Sequence, residues 1–353
     1  MTRGEVAFYV HHHGRGHLAR TTLLGCELAA GGAAVTLLGE LPHAPSLPGV
    51  ACERIGPDAD DPPASGDPSV HGLLHWAPRG ADGQFAERMR RLAAWLVAHR
   101  PAVLVTDTSV EVTLLARLLG IPTVVVTQPG ERTDAAHRLG FACADAIIAP
   151  WPERFYRPDW LAAVRDRVVF TGAPTGNALA DATAAIPGTV LEVTGAGGSA
   201  QLFDQAVAPD AGSAELADPW RTGRACPTTV PPRTGHQERP WRRKAIGPAE
   251  WCDDVPAAIA SSQVVVCHAG QNLIAEVAAA DRPAVVIPQH RPFGEQAATA
   301  AVLHHHGLAR ALLHEPTDWE PIYEQAIAWP RDWTAWAPAD AVDRALEVIG
   351  RWL

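Results

Sequence analysis

Gln263-Val-Val-Val-Cys-His-Ala-Gly-Gln-Asn-Leu-Ile-Ala-Glu-Val-Ala-Ala-Ala280 is a β-branched run that turns directly into a run of helix formers. Val264 to Cys267 suit a buried strand and Ile274 to Ala280 a helix, so His268 to Asn272 sit at a strand-to-helix turn. The start of a helix leaves N–H groups unpaired and carries the positive end of the helix dipole. Gly270, Gln271 and Asn272 are therefore placed to hold an anion, a diphosphate above all, with His268 adding a donor. Glu276 lies one turn beyond Asn272, where a carboxylate can accept both hydroxyls of a ribose. Pro288 and then Phe293-Gly-Glu-Gln296 follow.

The amino terminus repeats the strand-to-helix plan. Val6 to Val10 reads as a strand, and His11-His-His-Gly-Arg-Gly-His-Leu-Ala-Arg20 as a loop that opens a helix running to about Ala30. Gly14 and Gly16 would let backbone approach a ligand closely. Gly-x-Gly-x-x-Ala also weakly matches a dinucleotide fingerprint, and Glu40 keeps that reading open on spacing alone. Ala102 to Asp107 is a strand ending in a carboxylate, and a helix follows. Asp107 either caps that helix or orients a histidine.

The pattern His-x-Gly-x-Asn-x-x-x-Glu, then Pro and a Glu-Gln pair, resembles the donor-binding segment of two-domain, GT-B type glycosyltransferases. These are the UDP-glycosyltransferases and the family 28 group that forms lipid II. The resemblance implies that His268, Gly270, Gln271 and Asn272 hold the donor diphosphate and Glu276 the ribose, while Glu295 and Gln296 read sugar hydroxyls. The Gly-x-Gly-His form is similar to the first loop of that group, where the histidine faces the acceptor. This makes His17 the general-base candidate, and Asp107 falls where plant members hold that histidine. Gly14 and Gly16, with the second Gly-rich turn at Gly195, Gly197 and Gly198, would lie near acceptor or diphosphate. The implied fold is α/β, with two Rossmann-like domains whose parallel sheets face each other across a cleft.

The implied activity is transfer of a sugar from a UDP or dTDP sugar to an acceptor hydroxyl, with inversion. It needs no metal and no cofactor beyond the nucleotide-sugar co-substrate. The acceptor would be a hydrophobic small molecule or a lipid-linked one. Two other readings stay open: a non-catalytic binding protein of the same fold with an eroded donor domain, and a nucleotide-sugar epimerase.

Composition agrees with an enzyme of this kind. A chain of 353 residues that is 47% hydrophobic can build two domains with their own cores. Its net charge of −10, from 29 Lys plus Arg against 39 Asp plus Glu, argues against nucleic acid as a partner. No apolar run approaches the ~20 residues that span a bilayer, and no signal-peptide core opens the chain. A cytoplasmic protein is expected, free or peripheral at the inner face of the membrane. The six cysteines lack C-x-x-C spacing and read as buried thiols. The triplets His11 to His13 and His304 to His306 are not read as metal sites, because neighbouring side chains on a helix diverge.

The expected layout is an acceptor-binding domain over 1–172, a donor-binding domain over 173–337, and a helix over 338–353 packing back on the first domain. Trp333, Trp336 and Trp352 would anchor that helix. Residues 56–83 form a long loop in which Leu73-Leu-His-Trp76 could touch the acceptor. Residues 210–244, ending in Arg239-Pro-Trp-Arg-Arg-Lys244, are expected as an irregular insert; if it replaces a core strand, the second sheet is one strand short.

Overall fold

The computed structural model describes residues 4–11, 15–41, 47–56, 73–75, 77, 84–176, 184–194, 202, 241–247 and 254–353. Gly14, Trp76, Gly195, Gly197, Gly198 and most of the 210–244 segment lie outside the described residues. The chain divides into two compact units, Met1–Pro174 with Asp340–Leu353, and Thr175–Ala339.

Unit 1 alternates strands and helices: β1 (Glu5–Val10), α1 (Arg15–Ala30), β2 (Ala34–Gly39), β3 (Val50–Arg54), α2 (Gln84–His99), β4 (Val103–Asp107), α3 (Val110–Leu118), β5 (Thr123–Val126), α4 (Ala135–Cys143), β6 (Ala146–Ala149) and β7 (Val168–Phe170). The strands form one parallel sheet in the order β3-β2-β1-β4-β5-β6-β7. Central strands such as β4 (Val-Leu-Val-Thr-Asp) are buried throughout, as strands covered on both faces must be. Strand order reverses between β1 and β4, and ligands of open α/β sheets bind at that reversal, beyond the carboxyl ends of the strands.

Unit 2 contains β8 (Ile186–Val193), β9 (Arg242–Ile246), α5 (Val255–Ser261), β10 (Ser262–His268), α6 (Gln271–Ala279), β11 (Ala284–Ile287), α7 (Glu295–His305), β12 (Arg310–Ala311) and α8 (Glu320–Ala328). Its parallel sheet has the order β12-β11-β10-β8-β9, with the reversal between β8 and β10. Residues 242–244, expected at the end of an irregular insert, are instead strand. Thr189 to Val193 pair with Arg242 to Ile246, so the end of this segment supplies an edge strand, β9. The reason is that an edge strand buries little: only Ile246 of β9 is buried, and Arg242 to Ala245 are exposed, Arg243 pairing with Glu192 of β8.

The last helix, α9 (Ala341–Ile349), belongs to unit 1. Ala345, Val348 and Ile349 join Val6, Phe8, Leu24 and Leu37 in one core, with Trp352 packed beside them. Trp333 and Trp336 belong to unit 2 instead, where Trp333 Nε1 donates to the Arg282 carbonyl at 2.9 Å. A second core on the opposite sheet face joins Tyr9, Leu38 and Leu104 to Leu92, Leu96 and Val112 from α2 and α3. In unit 2, Val190, Val264, Val266, Val285 and Ile287 pack on Tyr323 and Ala326 of α8. No helix among the described residues is long and apolar enough to cross a membrane.

Candidate active site

In unit 1 the strand-order reversal brings the start of α1 against the end of β4. His17 Nδ1 lies 3.1 Å from Asp107 Oδ2. The approach is close but bent away from an ideal hydrogen-bond line. Arg20, one turn further along α1, reaches the same carboxylate. Its Nη2 donates to Oδ1 at 2.9 Å and to Oδ2 at 2.8 Å, and its Nε to Oδ2 at 3.2 Å. Arg20 and Asp107 are only 6% and 3% exposed. Burial pushes the Asp107 carboxyl up, but the charges and hydrogen bonds of Arg20 and His17 outweigh it and hold the group well below the usual carboxylate range.

Asp107 does not cap the helix after it. Ser109 does, its side chain accepting from the Val112 N–H, while Thr108 between them has φ 68. A β-branched residue in the left-handed region is strained, and such strain is kept where a fold must aim a neighbouring group. Gly16, expected in a loop, lies in the first turn of α1. The sequence reading missed Arg20, although its spacing of three from His17 sets both on one helix face.

A second buried polar group sits on α4. Asp134 caps that helix, accepting from the His137 N–H at 3.1 Å, and its two oxygens also meet His137 Nδ1 at 2.5 Å and His75 Nε2 at 3.0 Å. Each of these residues offers a ligand atom within 4.8 Å of the others, a spacing that suits a metal ion. Arg132 Nη1, however, stands 2.8 Å from His137 Nε2. A guanidinium can only donate, so Nε2 accepts and Nδ1 carries the proton that goes to Asp134. A protonated Nδ1 offers a metal no lone pair. Burial pulls His137 down to about 4, against its bond to Asp134 and aided by Arg132. The cluster is a hydrogen-bonded knot that ties His75 to α4.

In unit 2, β10 ends at His268 and α6 begins at Gln271, with Gly270 as its cap residue making no side-chain cap bond. A Cβ at Gly270 would meet none of the described residues within 4 Å. His268 is 2% exposed, and burial lowers it to about 4, with its Leu202 bond opposing and the charge of Arg291 adding. Its Nε2 is 3.3 Å from the Leu202 carbonyl, which makes Nε2 the protonated nitrogen. Nδ1 is then an acceptor, buried and without a partner among the described residues. In this state the ring presents an acceptor at Nδ1, where the sequence led us to expect a donor.

Glu276, on the same helix, makes no side-chain hydrogen bond or ion pair among the described residues, and burial pushes its carboxyl up to about 7. Gln271 and Asn272 form the half-buried first turn of α6. Glu295 opens α7, and Gln296 beside it is buried, its Oε1 accepting from the Gln289 N–H at 3.0 Å. That bond leaves the amide nitrogen of Gln296 and the second lone pair of Oε1 unused by it. His304, at the other end of α7, accepts from the Ala311 N–H at 3.4 Å and faces Trp329, so it serves packing.

Residues 222–325 match the glycosyltransferase family 28 C-terminal domain. Over 193 residues the chain is 28% identical to a UDP-N-acetylglucosamine–N-acetylmuramyl-(pentapeptide) pyrophosphoryl-undecaprenol N-acetylglucosamine transferase of Desulfitobacterium hafniense, a match spanning about half the length of each protein (50% of both). Among solved structures, the glycotransferase of kitacinnamycin superposes with a TM-score of 0.60 at 18% identity, covering 100% of this chain and 95% of that one. MurG of Acinetobacter baumannii superposes with a TM-score of 0.59 at 16% identity, covering 99% of both chains. The fold is that of the GT-B glycosyltransferases, and the matched part of unit 2 is similar to the family 28 C-terminal domain.

Proposed function

We propose that this chain, a GT-B protein resembling the family 28 glycosyltransferases, moves a sugar from a UDP or dTDP sugar to an acceptor hydroxyl, with inversion and without a metal. The observation that carries the reading is the buried His17–Asp107–Arg20 constellation at the strand-order reversal of unit 1. Asp107 faces Nδ1 of His17 and leaves Nε2 to act as the base. As the acceptor oxygen bonds to the anomeric carbon, its proton passes to Nε2. The bond from that carbon to the diphosphate breaks on the opposite face, and its electron pair stays on the phosphate oxygen. The start of α6 opposes the growing negative charge with fixed dipoles that need no reorganisation.

Support for a UDP donor comes from the name of the Desulfitobacterium relative and from the free carboxylate of Glu276, suited to a ribose. That relative's undecaprenol-linked acceptor makes a lipid-linked acceptor the first to try, ahead of a hydrophobic small molecule. Thermal-shift titration with UDP, dTDP, GDP and ADP, first without metal and then with magnesium, tests the donor side. A rise with UDP or dTDP that magnesium does not enlarge is expected; no rise with any nucleotide rejects the reading. With an acceptor in hand, His17→Ala should lower turnover by about 100-fold or more while donor binding stays.

A further inference from the structure

A departing diphosphate needs positive charge, and His268 does not provide it. Its ring is neutral and turns an unprotonated Nδ1 inward. The connection from β11 to α7 holds two polar groups with work left undone. Gln289 is 1% exposed, and its Nε2 is buried with no hydrogen-bond partner among the described residues. Such an orphan donor costs stability unless something arrives to accept from it. Beside it stands the half-buried guanidinium of Arg291, whose one side-chain hydrogen bond among the described residues is a long one, 3.4 Å, to Gln289 Oε1. No carboxylate pairs with Arg291 among the described residues, and Glu295 acts on it only through longer-range charge.

These groups lie beside the candidate donor site. Gln289 follows β11, whose Ile287 pairs with His268 in the sheet, and the charge of Arg291 is felt at the His268 ring. The backbone that carries them is strained: Phe293 has φ 63, and Gly294 follows with the same value. Left-handed backbone at a bulky residue persists where a site over-determines the loop. A guanidinium matches phosphate oxygens in pairs and stays charged when partly buried, which a histidine does not.

We propose that Arg291 is the cation that takes up the charge of the donor's diphosphate, with the Gln289 amide as its companion donor. The assignment rests on the nucleotide-sugar reading of the same site and adds the residue that opposes the leaving group's charge. The helix start alone offers about half a positive charge; Arg291 adds a whole one.

Calorimetric titration of the full chain with UDP, UMP and uridine separates the two ideas, using wild type, Arg291→Met and Arg291→Lys after each variant's melting temperature has been checked. In Arg291→Met the affinity for UDP should fall about tenfold or more, the affinity for uridine should not change, and Arg291→Lys should regain part of the loss. Unchanged UDP affinity in Arg291→Met, with wild type binding UDP, overturns the assignment and leaves the donor reading standing. An equal fall for uridine and UDP also overturns it, since Arg291 would then only support the pocket. Wild type that binds none of the three rejects the donor reading, and the assignment with it.

Discussion

The two units handle charge in opposite ways. In unit 1 the buried ionic groups answer one another: Arg20 grips Asp107 beside His17, and Asp134 holds His75 and His137 with Arg132 behind. In unit 2 the polar groups around the end of β10 are left open: among the described residues His268 Nδ1 and Gln289 Nε2 have no partner, Glu276 has no counter-ion, and Arg291 has only a long bond to an amide. A closed network is finished before any ligand comes, and its task is to hold a geometry. An open one sacrifices stability in the empty state and recovers it when a ligand supplies the missing partners.

The sharpest way to break this contrast is to open the closed network. Arg20→Met leaves the Asp107 carboxylate buried without its main partner, and should lower the stability of unit 1 by about 3–5 kcal/mol in urea titration. Adding Asp107→Asn should return much of that loss, because the uncompensated charge is then gone. If Arg20→Met costs no more than a surface change, unit 1 is not closed in the sense described.

Acid probes the open network more gently. The folded-state value of His268 is lowered to about 4 by burial, below the ordinary histidine value, so the folded chain resists taking up this proton. The stability it carries is whole above about pH 6.5 and is lost as pH falls toward 4, by about 2 kcal/mol. His268→Phe should flatten that part of the stability profile. An unchanged profile would mean that His268 already finds a partner for its proton.

Much of this architecture can be read from the chain because central strands and helices announce themselves. β4 and β10 are β-branched runs buried on both faces, and the turns after them must hold whatever the sheet presents. Edges are harder to read. β3 (Val-Ala-Cys-Glu-Arg) and β9 (Arg-Arg-Lys-Ala-Ile) are mostly exposed, so neither shows an apolar period, and β9 passes for part of a polar insert. The site divides the same way. His17, Asp107 and Glu276 stand at positions that a turn or a helix face makes special. Arg20 was visible as the residue one turn from His17, but only the folded sheet shows that β4 delivers a carboxylate to it. Gln289 and Arg291 lie in an aperiodic connection, where burial and missing partners, not sequence spacing, mark them.

The smallest expected effect concerns Glu276. Burial raises its carboxyl from the ordinary range to about 7, so the folded chain favours the protonated form. For a group raised in this way, the stabilising contribution is complete below the unfolded value near 4.5 and is lost as pH rises through 7. Glu276→Gln, which cannot ionise, should match wild type at pH 4.5 and exceed it by about 1–2 kcal/mol at pH 8. Saturating UDP should narrow that gap at pH 8, because ribose hydroxyls donating to the ionised carboxylate supply the partners it lacks in the empty site. Wild-type affinity for UDP should accordingly rise between pH 6 and 8, and Glu276→Gln should remove the rise. A variant no more stable than wild type at pH 8 would show that the carboxylate is already satisfied in the folded chain, and the contrast between a closed unit 1 and an open unit 2 would lose its carboxylate.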